Sequence, residues 1–284
     1  MLDELPDLEQ TADKGGRHDL EVVKRDLESF FTDNDHQVYE YGSKATDCHK
    51  DSVFYKKQIQ VLFEEKYPHE VTGRAVKELT EDGFLKLDRR TMKNESPIDF
   101  ISRANVRYFS RQIKDKLKIV DAFSEYEVNN GVGKHAEDLF RHMFEENQFE
   151  IAGRHINEFR GKKWCTKKNL DYIVQKDEIT YGVEIKNTFD YMPNHEFNEK
   201  LAMCEYLGLL PLFPIRCPSP QHYKLMREAG GLALKFKTRV FPQGNQDLEA
   251  AIWNHFRLPV FIWGEITPNI ERNFLRYHQT HLPK

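Results

Sequence analysis

Hydrophobic and polar residues alternate most regularly in two short segments in the second half of the chain. Residues 169–174 and 181–187 are rich in β-branched and aromatic side chains, and a polar turn at residues 176–178 separates them. This pattern predicts a β-hairpin. Because side chains alternate between the two faces of a strand, Glu184 and Lys186 are expected on the same face.

The segments around the hairpin predict further elements of a sheet and its helices. An apolar stripe with helical period predicts a helix over residues 133–144, and Glu137 lies at the edge of that stripe. Residues 149–159 and 209–217 read as strands, and residues 194–207 read as a second helix. The expected order is therefore helix, three strands, helix and strand.

Two carboxylates are expected to meet at one end of this sheet. Asp171 lies on the first strand of the hairpin and Glu184 on the second. Crowded carboxylates repel unless a cation lies between them, and hard divalent cations prefer oxygen ligands. A metal site is one interpretation. The alternative is a solvated strand face with an exposed ion pair between Glu184 and Lys186.

Asp171 followed by Glu184-Ile185-Lys186 resembles the motif of the PD-(D/E)XK, or restriction-endonuclease-like, nuclease superfamily. The resemblance covers about residues 131–235 in residue types and in element order, with Leu170 where the motif has proline. It implies an α/β fold with a central mixed sheet flanked by helices. It also implies metal-dependent hydrolysis of phosphodiester bonds, with DNA as the expected substrate and Mg²⁺, replaceable by Mn²⁺, as the cofactor.

The resemblance also implies a role for each residue of the motif. Asp171 and Glu184 would bind one or two ions together with the backbone carbonyl of Ile185, and Glu137 would bind directly or through water. Lys186 would orient the attacking water and stabilise developing charge. The expected catalytic residues are thus Asp171, Glu184, Lys186 and Glu137. The competing interpretation is a nucleic-acid-binding regulator or scaffold whose nuclease fold is no longer used.

Residues 51–128 carry a second pattern. A helix through residues 54–66, a helix over residues 72–82 and an alternating strand over residues 84–90 resemble part of a winged-helix domain. The alternative is a helical hairpin packed on the nuclease core, and a winged helix can also mediate protein contacts. In the winged-helix interpretation, the residues facing the major groove or the phosphates are Thr72, Arg74, Lys77, Arg89 and Arg90.

Residues 96–120 are predicted to form a longer helix with a proline in its first turn. A row of cations lies apart from its apolar stripe, and phosphate is the natural partner for such a row. The alternative is a solvated face that pairs with acids elsewhere. The cations are Arg103, Arg107, Arg111, Lys114 and Lys118.

A third basic cluster, residues 160–168, precedes Asp171 directly. Its position near the expected metal site suggests contact of Lys162 and Lys163 with a nucleic-acid backbone. Trp164 is expected either to stack on a base or to anchor an exposed loop.

The composition limits the number of domains and the class of protein. The 284 residues suffice for two domains, and no run of 18 apolar residues predicts a membrane span. The net charge is −4, but residues 1–50 hold 13 acidic and only 6 basic side chains, so the remainder is slightly basic. We expect a partly mobile acidic segment (1–50), a helical or winged-helix-like nucleic-acid-binding region (51–128) and a nuclease domain with a C-terminal extension (129–284).

Four scattered cysteines without a Cys-x-x-Cys spacing favour reduced thiols and a cytoplasmic location. Site-specific cleavage of both DNA strands would favour a symmetric homodimer.

Overall fold

The computed structural model describes residues 20–32, 52–106 and 109–282. The chain forms two compact units, one made of residues 1–129 with 245–260 and the other of residues 130–244 with 261–284. The first boundary falls beside the expected division after residue 128. Residues 245–260, by contrast, belong to the first unit and do not extend the second.

The first unit is built on a three-stranded antiparallel sheet with the strand order β1-β3-β2. Its core packs apolar residues of the first and third helices on the sheet, among them Leu27, Leu79 and Ile101. The elements are α1 (Leu20–Thr32), β1 (Val53–Tyr55), α2 (Lys56–Leu62), α3 (His69–Glu81), β2 (Leu85–Thr91), β3 (Pro97–Arg103), α4 (Ser110–Ser124) and, from the later segment, α8 (Gln246–Phe256).

One correction concerns the start of the helix expected through residues 54–66. Val53–Tyr55 is a strand, because Val53 and Tyr55 pair with Ser102 and Phe100 of β3. The helix begins only at Lys56. The pairing partner lies almost fifty residues away along the chain, so local periodicity carries no sign of it.

A larger correction concerns residues 96–120, which are not one helix. Pro97–Arg103 forms β3 and pairs along its whole length with β2, and α4 starts only at Ser110. Proline is compatible with the first residue of a strand as well as with a first helical turn. The prediction of one row of five cations is therefore wrong: Arg103 lies on β3, Arg107 lies outside the described residues, and the other three lie on α4.

The second unit is built on a five-stranded mixed sheet with the order β10-β9-β8-β7-β4. Strands β4, β7 and β8 are antiparallel neighbours, whereas β8, β9 and β10 run parallel. The elements are α5 (Tyr126–Glu146), which begins at the boundary, β4 (Glu150–Ile156), β5 (Glu158–Phe159), β6 (Lys162–Lys163), β7 (Leu170–Lys176), β8 (Ile179–Val183), α6 (Asn194–Leu207), β9 (Leu210–Ile215), α7 (Pro220–Glu228), β10 (Leu232–Lys235), β11 (Arg239–Phe241), β12 (Val260–Ile262) and α9 (Pro268–Thr280).

Helices cover both faces of this sheet. On one face, Phe140 of α5 and Phe274 of α9 share a core with Tyr172 of β7. On the other face, Phe197 of α6 packs with Phe213 of β9. The expectation of a mixed sheet flanked by helices is confirmed in this coarse form.

A glycine allows α6 to approach the sheet closely. A Cβ atom added at Gly182 of β8 would lie 2.6 Å from the sulfur of Cys204. Any side chain at position 182 would therefore push α6 away from the sheet. This close packing brings the polar residues of α6 next to the ends of β7 and β8.

No helix in the described part of the chain is both long and apolar enough to cross a membrane.

Candidate metal and catalytic site

The site lies where the hairpin of β7 and β8 ends. Tyr172 pairs with Val183, so Asp171 and Glu184 occupy the next positions along the two strands. The backbone N–H of Ile185 donates a hydrogen bond to Oδ2 of Asp171 over 2.7 Å. This bond fixes the aspartate without using the Ile185 carbonyl, which was expected as a metal ligand. The two roles of Ile185 are compatible.

Three side chains from different elements converge at this edge. Glu137 of α5, His155 of β4 and Asp171 of β7 each place one donor atom within 4.8 Å of the others. The distance from Nε2 of His155 to Oε2 of Glu137 is 3.7 Å. Carboxylate oxygens and an imidazole nitrogen are ligands for Mg²⁺ or Mn²⁺ and for other divalent transition metals. The residues present therefore fit a divalent cation.

His155 was absent from the predicted site. It lies one residue before Ile156, which pairs with Leu170 beside Asp171. The sequence offered one indication that His155 belongs to the site, namely its position near the end of the strand expected over residues 149–159. Its pairing with residue 170 could not be read from the sequence.

Burial outweighs the nearby positive charge at the carboxylates of this cluster, although Arg154 acts on Glu137 and Lys200 acts on Asp171. Burial, reinforced by the negative charge of Glu184, raises the pKa of Asp171 to about 8. Burial also raises the pKa of Glu137 above its ordinary value. Both shifts mean that burial and like charge disfavour the ionised carboxylates at this edge, and a bound cation would offset that cost.

Glu184 lies in a separate cluster of ion pairs. Its side chain is 2% exposed, and its two oxygens contact two different lysines. Nζ of Lys186 lies 3.0 Å from Oε1, and Nζ of Lys200 lies 2.6 Å from Oε2. Nζ of Lys186 also lies 2.7 Å from Oε1 of Glu196. The result is an alternating row of two anions and two cations along α6.

The row keeps Lys186 charged. Burial opposes the charged form, but Glu184 and Glu196 together raise the pKa of Lys186. Burial likewise opposes the ionised form of Glu196, but the hydrogen bond from Lys186 lowers its pKa. Lys200 and Glu196 were absent from the predicted site. Their spacing of four places them on one face of α6, but the sequence does not show which face meets Glu184.

The basic cluster before Asp171 forms an exposed β-hairpin of β5 and β6. This hairpin leaves the sheet just after His155 and returns just before Asp171, so it lies at the edge of the site. Lys162 and Lys163 are exposed; Nζ of Lys162 donates to the carbonyl of Tyr206, and Nζ of Lys163 lies 3.9 Å from Glu158.

Trp164, by contrast, is partly buried. Its ring packs edge-on against Tyr206, with the ring centroids 5.8 Å apart. This contact matches the anchoring role that was weighed against stacking on a base.

The expected groove-facing residues of the first unit are only partly exposed. Thr72 is fully buried, so its predicted contact with a major groove is wrong. The helix period places it on the face of α3 that packs on the sheet. Arg74 and Lys77 are exposed on α3. Lys77 lies 3.6 Å from Glu81, so the exposed face of α3 mixes both charges.

The remaining predicted cations of the first unit are distributed over two elements. On β2, Arg89 pairs with Asp99 at 2.7 Å and Arg90 pairs with Asp88 at 2.6 Å. The exposed cations of α4 are Arg111, Lys114 and Lys118. Arg103 lies over the ring of Phe84, with its guanidinium carbon 5.5 Å from the ring centroid.

Comparison with protein-family models, with curated proteins and with solved structures gives no match for this chain.

Proposed function

We propose that the second unit is a restriction-endonuclease-like nuclease domain that hydrolyses phosphodiester bonds, with DNA as substrate and Mg²⁺ or Mn²⁺ as cofactor. The observation that carries this proposal is the convergence of Glu137, His155 and Asp171 beside the Glu184–Lys186 ion pair. The element order around the site supports it. A helix, three antiparallel strands, a helix and a parallel strand follow one another as in that superfamily.

The chain's own groups have distinct tasks in this proposal. Glu137, His155 and Asp171 would hold the cation, with Glu184 and the carbonyl of Ile185 as further proposed ligands, and the Ile185 N–H keeps Asp171 in place. When bound, a divalent cation acidifies a coordinated water and neutralises phosphate charge. Lys186, held charged by two carboxylates, would orient the attacking water and stabilise negative charge that develops on the phosphate.

For the first unit, we propose a winged-helix-like module. The order α1, β1, α2, α3, β2, β3 and the sheet order β1-β3-β2 support this assignment. The proposed nucleic-acid contacts of the whole chain remain those on α3 (Arg74, Lys77), β2 (Arg89, Arg90), β3 (Arg103), α4 (Arg111, Lys114, Lys118) and β6 (Lys162, Lys163), together with Arg107.

A cleavage assay tests the proposal. The protein would be incubated with duplex, single-stranded and branched DNA and with RNA, each with Mg²⁺, with Mn²⁺ or with a chelator. We expect metal-dependent cleavage of at least one DNA substrate. Absence of cleavage on every substrate, with nucleic-acid binding retained, would support the scaffold alternative instead.

A further inference from the structure

Lys200 of α6 is a buried charged group that lies outside the expected motif. Its side chain is only 6% exposed, and its Nζ lies 2.6 Å from Oε2 of Glu184. Nζ also donates a hydrogen bond to the carbonyl of Asn169, two residues before Asp171. An ammonium group in such a position is costly unless it is paired and hydrogen-bonded. Lys200 is therefore held in a specific place at the end of the hairpin.

The two lysines that contact Glu184 differ in their other partners. Lys186 is shared between Glu184 and Glu196, at 3.0 Å and 2.7 Å. Lys200 contacts Glu184 and a neutral backbone carbonyl. Among the described residues, Lys200 thus has one carboxylate, Glu184, at salt-bridge distance, whereas Lys186 has two.

The charges of the two clusters can be counted. In the cation-bound state, in which Asp171 is ionised despite its raised pKa and His155 is neutral, the four negative groups are Glu137, Asp171, Glu184 and Glu196. Lys186 and Lys200 are the two positive groups. The neighbouring Asp138 and Arg154 lie 3.8 Å apart and cancel. The sum is −2, which one divalent cation would neutralise. Without Lys200 the sum would be −3.

We infer that Lys200 is a positioning residue that holds the Glu184 carboxylate and sets the charge of the site to match a single divalent cation. The inference rests on the proposed metal site. It gives α6 a role in the chemistry, because one face of this helix supplies both the anion that holds Lys186 and the cation that holds Glu184.

The inference predicts opposite effects on metal affinity and on turnover. Replacing Lys200 by methionine removes a positive charge from the site, so a divalent cation is repelled less. By Coulomb's law at the effective dielectric constant of partly buried sites, binding should be tighter by at least about tenfold. Glu184 loses one of its two anchors in the same variant, so turnover falls.

Titration calorimetry with Mn²⁺ on the full-length protein measures affinity and stoichiometry. We expect one ion per wild-type chain, tighter binding to Lys200→Met and near wild-type binding to Lys200→Arg, which keeps the charge. Lys224→Met, which removes an exposed lysine of α7, is the matched control and should leave binding unchanged. Two ions per wild-type chain, or unchanged or weaker binding to a folded Lys200→Met, would overturn the inference.

A double-mutant cycle in the metal-free protein keeps the inference testable if Lys200→Met folds poorly. Because the cost of Lys200→Met comes from leaving Glu184 short of a partner, the loss in melting temperature should be smaller in a Glu184→Gln background. Equal losses in both backgrounds would overturn the inference. Neither measurement uses nucleic acid. If metal binding and the double-mutant cycle give the expected results but no substrate is cleaved, only the proposed nuclease function is overturned.

Discussion

Two sets of ion pairs, one in each unit, lie in different surroundings. In the first unit, Arg89 and Arg90 pair with Asp99 and Asp88 while remaining 65% and 42% exposed. In the second unit, the ion pair of Glu184 with Lys200 is almost completely buried. Exposed ion pairs contribute about 0–1 kcal/mol. For buried ion pairs, the free energy lost by desolvation exceeds the gain from attraction unless the geometry is excellent. The buried set is therefore the one whose presence needs a chemical explanation.

The exposed cations also differ between the units. On α3 of the first unit, Arg74 and Lys77 share the exposed face with Glu70 and Glu81. In the hairpin and loop at residues 157–168 of the second unit, five cations accompany a single acid, Glu158. Because binding to phosphate follows the local excess of positive charge, the second unit is expected to make the stronger backbone contacts.

The largest expected effect is on cleavage. Lys186→Ala should lower the single-turnover rate by about 10²–10³, because this lysine acts on charge that develops in the transition state. Asp171→Asn should be at least as severe, since it weakens metal binding too. Arg89→Ala is the control in the first unit and should leave the chemical step unchanged. Rapid cleavage by Lys186→Ala in quenched-flow measurements would place the chemistry elsewhere.

The hairpin at the centre of this site could be predicted because its information is local. Its two strands are joined by a short polar turn, and the pairing of Tyr172 with Val183 follows from that turn. The helix expected over residues 133–144 lies within the longer helix Tyr126–Glu146, and the helix expected over residues 194–207 has those bounds. These elements could be predicted without information about residues that are distant in the sequence.

What could not be predicted depends on contacts between distant segments. Pro97–Arg103 became a strand because β1 and β2 lie on either side of it. His155 and Lys200 reach the site through sheet pairing and through the close packing of α6 at Gly182. Each of these residues has an ordinary local sequence, so only tertiary packing reveals its role.

A second effect concerns metal binding to the folded protein. Mn²⁺ at a hundredfold excess over its Kd should raise the free energy of unfolding by about 2.7 kcal/mol. Mg²⁺ should bind more weakly, because an imidazole ligand favours transition metals. His155→Ala should reduce the difference in affinity between Mn²⁺ and Mg²⁺. Asp171→Asn should remove most of the stabilisation by both ions. Thermal melts measure these changes.

The first unit provides the control for that experiment. Asp88→Asn removes a carboxylate that is already paired on the surface, so the shift caused by either ion should stay as in the wild type. A melting temperature that responds to neither ion in the wild-type protein would contradict the proposed site.

A third effect compares the basic surfaces of the two units. If Lys162 and Lys163 contact phosphates of duplex DNA, each substitution by alanine should reduce the log–log salt dependence of binding by about 0.9. Arg89→Ala and Arg90→Ala should change this slope less, because each arginine already has a carboxylate partner. Fluorescence anisotropy over a range of salt concentrations measures the slopes. A larger change for the arginines would assign the main contact to the first unit.

The smallest effect concerns His222, a buried residue of the second unit to which the described residues supply no charged partner like those of Glu184. The imidazole of His222 stacks on Phe197, with the ring centroids 4.1 Å apart. Burial lowers the pKa of His222 to about 4, against a backbone hydrogen bond with Met192 that raises it. The ordinary value is about 6.5, so the unfolded chain binds a proton first as the pH falls. The stability that neutral His222 contributes is therefore complete above about pH 6.5 and is lost between that pH and about 4.

His222→Asn should remove this pH dependence. Between neutral pH and about pH 5.5, the free energy of unfolding of the variant should therefore fall by about 1 kcal/mol less than that of the wild type. Denaturant unfolding at several pH values measures the difference, with the exposed His195→Gln as control. Parallel pH profiles for the wild type and His222→Asn would show that burial of this imidazole has no energetic consequence.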